Sequence, residues 1–162
     1  MTRLRFLTTL LALTTLFYVV RTHSEPLTRE QAEAARRFVK DDGSFASRLV
    51  HAALDRTRAS VRYEPAYVKL SYPGGDVPAD TGVCTDEVIR SYRALGHDLQ
   101  KLVHEDMKGH FAAYPQHWGL ARPDTNIDHR RVPNLQTFFK RRGASLPVTQ
   151  TETDYRPGDL IT

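Results

Sequence analysis

The sequence predicts an α+β fold. Three observations carry that expectation. Apolar residues recur at helical spacing in several separate segments. An aromatic and β-branched run around 66–71 reads as a short strand. The chain closes on "YRPGDLIT", a Pro-Gly turn followed by the first residues of what reads as another strand. With 162 residues, 40% hydrophobic and 26% charged, the chain is long enough for one domain with a real core, and its composition argues against disorder.

The N-terminus is of a different character. "MTRLRF" supplies two arginines, and an uncharged apolar run continues from Phe6 to Val20 before Arg21. A basic start followed by such a run predicts a secretory leader over 1–24, with cleavage after Ser24 or retention as a membrane anchor. The run is short for a span, which needs about 20 apolar residues. The expectation is therefore an exported, periplasmic protein that touches the membrane only through this segment if it is uncleaved. Arg3, Arg5 and Arg21 fall in the leader with no acid, so its removal lowers the formal charge from +4 to +1. The basic pI of the whole chain is then no nucleic-acid footprint.

Residues 25–60 read as an N-terminal helical segment. Thr28 and Gln31 form a capping-box pattern, Ala32, Ala35, Phe38 and Val39 form an apolar stripe, and "DDG" at 41–43 ends the helix. Ser44 opens a second helix with Phe45, Leu49, Ala52 and Leu54 as its inner side. Residues 61–162 form a second unit. After the strand, "YPGGDVP" is a turn-rich loop, because Pro fixes φ and the glycines admit positive φ. Val88, Ile89, Tyr92 and Leu95 mark a helix from Thr85 that Gly96 ends. Asp98 starts another, with Leu99, Leu102, Val103 and Met107. Residues 114–134 are a long irregular stretch, a length that is often functional. Pro133 suits the first turn of a last helix carrying Leu135, Phe138 and Phe139, ended by Gly143.

Cys84 is the single cysteine, so no intramolecular disulfide is open to it. It is either a small buried apolar residue or a nucleophile. "GVCTDEV" puts it where a helix begins. The thiolate is the reactive form, and unpaired N–H groups with partial positive charge at a helix start favour it. Cys84, Thr85 and Asp86 could cap that helix or hold an oxyanion. Attack also requires a base, usually an imidazole. The best internal candidate by context is the weak one, His129 in "NIDHRR". The alternative is a polar loop whose side chains satisfy backbone groups. Asp128 with Arg130 or Arg131 is either a structural ion pair or a clamp for a substrate carboxylate. No HExxH or CxxC pattern signals a metal, and no phosphate-binding glycine loop signals a nucleotide, so no cofactor is expected.

"YPGGDVPADTGVCTDEVIRSYRALGHDLQKLVHEDM", "NIDHRRVPNLQTFF" and "YRPGDLIT" closely resemble the bacterial domain-of-unknown-function family 1287, from about Tyr63 to Thr162. That family resembles NlpC-type cysteine peptidases, which have a papain-like α+β fold and cut amide bonds in peptidoglycan stem peptides. The resemblance implies Cys84 as nucleophile at the start of a helix that packs on an antiparallel sheet. It also implies that Pro157, Gly158, Asp159 and Leu160 open the next strand, with a catalytic His on the strand after it. This chain ends at Thr162, so the resemblance implies a truncated domain without that His and without most of the sheet. Helices 85–95 and 134–142 would then leave apolar faces uncovered, and the chain would be marginally stable. Three readings follow: a cell-wall hydrolase or a piece of one, a non-catalytic peptide- or protein-binding module using the 114–134 loop, and a rearranged dyad of Cys84 with Asp128–His129.

Overall fold

The computed structural model describes residues 28–162, so the leader expected over 1–24 lies outside the described residues. Among the described residues no helix is long and apolar enough to cross a membrane. Among the described residues there are five α-helices: α1 Arg29–Phe38, α2 Phe45–Arg56, α3 Cys84–Ala94, α4 Leu99–His110 and α5 Val132–Arg141. The strands are two residues each, β1 Arg62–Tyr63 and β2 Thr81–Gly82, paired in parallel. Short 3₁₀ turns cover Phe111–Ala113, Asp128–Arg130 and Glu152–Asp154.

Local signals set most helix ends. At α1 the capping box forms in full: Gln31 N donates to Thr28 Oγ1 at 3.2 Å, and Thr28 N donates to Gln31 Oε1 at 2.8 Å. The helix ends at Phe38, earlier than "DDG" implied. The Asp41 and Asp42 carboxylates accept from Gly43 N and Ser44 N, which competes with helix continuation. Of the apolar stripe read from the sequence, Ala32 is buried and Ala35 and Val39 are half-buried, whereas Phe38 is 86% exposed and is not part of the inner face. Ser44 caps α2 and Asp98 caps α4, each accepting from a first-turn N–H. Gly96 and Gly143 take positive φ just beyond α3 and α5.

The core lies among α3, α4 and α5. Ile89, Leu99, Val103, Met107, Tyr114, Leu135 and Phe138 are buried together, with Val88, Tyr92, Leu102, Phe111 and Phe139 packed around them. Each such side chain contributes about 1.5–3 kcal/mol by leaving water. The expectation of uncovered apolar faces on α3 and α5 is therefore corrected, because α4 fills the space between them. On its other side α3 meets α2, through Arg56–Glu87 at 2.8 Å and the Phe45–Tyr92 ring pair at 5.5 Å.

The strand expected around 66–71 is also corrected. Pairing is confined to Arg62–Tyr63, and the chain from 64 to 80 runs as an irregular strap. Its backbone groups find side chains in place of a ladder. Leu70 N donates to Asn126 Oδ1, and buried Gln100 accepts from Gly75 N while donating to the carbonyls of Ser71 and Thr125. The terminal strand expected after the Pro-Gly turn is absent too. Residues 159–162 have no ladder partner among the described residues, and Gln136 holds the Thr162 hydroxyl at 2.7 Å. The preceding turn sits tightly on α2, where a Cβ on Gly158 would lie 2.9 Å from Ala46 Cβ.

Candidate active site

Cys84 is the first residue of α3 and is exposed, which removes the reading of a buried apolar thiol. Val83 is the N-cap and has no side-chain acceptor to offer. Asp86 supplies it, with Oδ2 accepting from Val83 N at 2.7 Å. Asp86 N turns back to the Val83 carbonyl at 2.9 Å. The N–H groups of Cys84 and Thr85 have no hydrogen-bond partner among the described residues. A solvent-facing thiol thus stands beside two free donors at the positive end of an 11-residue helix. Such an arrangement can hold negative charge developing on a carbonyl oxygen while sulfur attacks the carbon.

Thr85 and Asp86 face inward. Thr85 Oγ1 donates to the Arg130 carbonyl at 2.8 Å, and Asp86 is 2% exposed. Arg130 grips the Asp86 carboxylate at both oxygens, Nε–Oδ1 at 2.8 Å and Nη2–Oδ2 at 2.9 Å. Its Nη1 reaches the Ala66 carbonyl in the strap at 3.3 Å. Arg130 is therefore a buried fastener that joins the 3₁₀ turn, the start of α3 and the strap.

A second buried arginine went unnoticed in the sequence. Arg90 pairs with Asp76 and Glu87 and donates to the carbonyls of Val77, Pro78 and Thr81. An arginine directly after the core residue Ile89 is the trace this leaves in the sequence. Gln100 and Asn134, both fully buried, leave no comparable trace.

The other candidates are placed as follows. Asp128 is 2% exposed, accepts from Asp124 N at 2.5 Å, and pairs with Arg131 at 3.1 Å. Burial pushes its carboxyl above the usual range. His129 is 2% exposed, and burial pulls its imidazole down to about 4, so it is neutral at neutral pH. Its Nδ1 has no partner among the described residues, and no hydrogen bond joins its ring to the Cys84 thiol. The Thr85–Arg130 bond brings the 3₁₀ turn against the start of α3 without forming a thiol–imidazole pair. Of the three residues read as a substrate clamp, Asp128 and Arg130 are enclosed and engaged. Arg131 lies nearer solvent, its guanidinium 3.9 Å from the Trp118 ring centroid, beside a cavity of about 10 Å³, room for about one water. Among the described residues no cluster of His, Cys, Asp or Glu has metal-binding geometry.

The family model described as "Domain of unknown function (DUF1287)" matches residues 50–162. The chain is also similar to "Uncharacterized protein YijF" of Escherichia coli (strain K12), 53% identical over 113 residues. That alignment covers 70% of this chain and 55% of the relative, so the chain spans about half the length of the curated relative it matches. No solved structure matches.

Proposed function

The chain belongs to the DUF1287 family, and from that premise we propose that it is an exported cysteine hydrolase of peptide amide bonds, or a working part of one. Cys84 is the nucleophile, and peptidoglycan stem peptides in the periplasm are the substrate class. In this reading α3 is the helix that begins with the nucleophile in a papain-like, NlpC-type fold. The single observation that carries the reading is the exposed thiol at the first position of α3 beside the unbonded N–H groups of Cys84 and Thr85.

The chemistry follows from those atoms. The Cys84 sulfur, as thiolate, attacks the amide carbonyl carbon. The carbonyl oxygen takes the negative charge, and in this reading the Cys84 and Thr85 N–H groups receive it. Collapse breaks the C–N bond, the amine leaves with a proton taken from water, and a thioester remains on Cys84. Water then hydrolyses the thioester and restores the thiol. His129, neutral at neutral pH, is the candidate proton acceptor among the described residues, and it is a weak base there because burial pulls it down to about 4.

A second reading is a non-catalytic peptide-binding module. The observation favouring it is that among the described residues no imidazole is hydrogen-bonded to the thiol. One experiment separates the two. The protein and its Cys84→Ala variant are incubated with purified stem peptides, and fragments are identified by mass spectrometry. The hydrolase reading expects fragments from the wild type alone. Binding of the intact peptide by both proteins, with no fragments, overturns it in favour of the module.

A further inference from the structure

We propose that the open groove between α2 and α3, whose lining does not include Cys84, is a binding site for a small oxyanion, a carboxylate- or phosphate-bearing molecule. The groove has a volume of about 480 Å³ and is lined on the α2 side by Arg48, His51, Ala52 and Arg56. That size falls in the range of small-molecule sites. Ala94 and Leu95, at the far end of α3 from Cys84, form its apolar wall.

The charge inventory gives the sign of the ligand. Both lining acids are engaged: Asp55 pairs with Arg36 and Arg58, and Asp41 accepts from Gly43 N and Ser47 Oγ. Arg90 is occupied by Asp76, Glu87 and three carbonyls. Among the described residues Arg48 is exposed and has no ion-pair partner, and Arg56 uses Nε on Glu87 while its Nη2 is enclosed without an acceptor. The Nε2 of His51 is likewise enclosed and unpartnered. An enclosed donor without an acceptor is unfavourable, and a ligand oxygen can relieve it. The groove therefore holds an excess of uncommitted donors and positive charge over a small apolar wall. Guanidinium groups match carboxylate and phosphate oxygens in pairs.

The test is calorimetric titration of the full chain with inorganic phosphate and, separately, with succinate, in chloride buffer. Saturable binding of either probe is expected, and the stronger probe identifies the oxyanion geometry. Arg48→Ala should weaken it at least tenfold with no change in melting temperature, since Arg48 is exposed. His51→Gln should weaken it as well. The His51 imidazole resonances should shift on titration while those of exposed His110 stay fixed. No saturable binding of either probe, or affinity unchanged in both variants, overturns the proposal. Neither outcome bears on Cys84 chemistry.

Discussion

At the scale of single residues, the start of α3 is held by one ion pair. The Asp86 and Arg130 side chains are 3% and 2% exposed, and Asp86 also accepts the Val83 N–H. Removing one partner leaves an uncompensated buried charge. Arg130→Met is expected to destabilise the protein by about 3–5 kcal/mol in urea unfolding. Asp86→Leu in the Arg130→Met background should recover part of that loss, because no lone charge then remains. An Arg130→Met variant as stable as wild type would show that the pair is dispensable. The pair was not legible as such in the sequence. Asp86 and Arg130 were both singled out, one as a cap and one as a clamp, but they are 44 residues apart. No local pattern joins them. The position of Cys84 at the start of α3 was legible, because its spacing after Gly82 and before Val88 and Ile89 is local information.

The same division holds at the scale of elements. Caps at Thr28, Ser44 and Asp98 and the glycines after α3 and α5 were read correctly, since each depends on a few neighbouring residues. The strands were misplaced because a strand exists through its partner, and the partner of Arg62–Tyr63 lies at Thr81–Gly82. The "YPGG" turn was legible as a turn, and the structure explains both glycines. Gly74 takes φ +79°, while a Cβ on Gly75 would lie 2.1 Å from the Ser71 carbonyl oxygen. Gly75→Ala should therefore cost about 1–3 kcal/mol or more by forcing the strap apart. At Gly109 a Cβ meets nothing within 4 Å, and Ala there should stabilise α4 by up to about 1 kcal/mol. Paired thermal melts of the two variants check the contrast. Gln100 joins the strap to the 124–128 region through three hydrogen bonds, so Gln100→Ala should loosen both. Hydrogen exchange at Gly75 should rise, and unchanged protection would contradict this.

For the molecule as a whole, acid stability should track His129. Its folded value of about 4 lies below the unfolded value of about 6.5. Between those pH values the unfolded chain binds a proton that the folded chain refuses. The stability contributed by neutral His129 is thus fully present above pH 6.5 and is lost as pH falls towards 4, on the order of 3 kcal/mol. Carboxylates held low, Asp106 by Arg141 and Asp124 by Asn126 and Tyr67, add losses further into acid, whereas Asp128 acts in the opposite sense. A His129→Gln variant should show a flatter stability curve from pH 6.5 to 4, measured by urea midpoints. The core itself was largely legible: Ile89, Leu99, Val103, Met107, Leu135 and Phe138 were all read from helical spacing. How α4 closes against α3 and α5 was not, because a period says which face is apolar and not what covers it.

In the proposed hydrolase the fold makes Cys84 a nucleophile. The most direct test is the rate at which an activated acyl ester acylates Cys84, followed by intact-mass and peptide mapping. The folded chain is compared with the same chain unfolded in urea. If the start of α3 assists attack, the folded protein should acylate at Cys84 at least tenfold faster than the unfolded chain, and Cys84→Ala should abolish the adduct. An unfolded chain that reacts as fast as the folded one would contradict the account, because the thiol would then gain nothing from where the structure puts it.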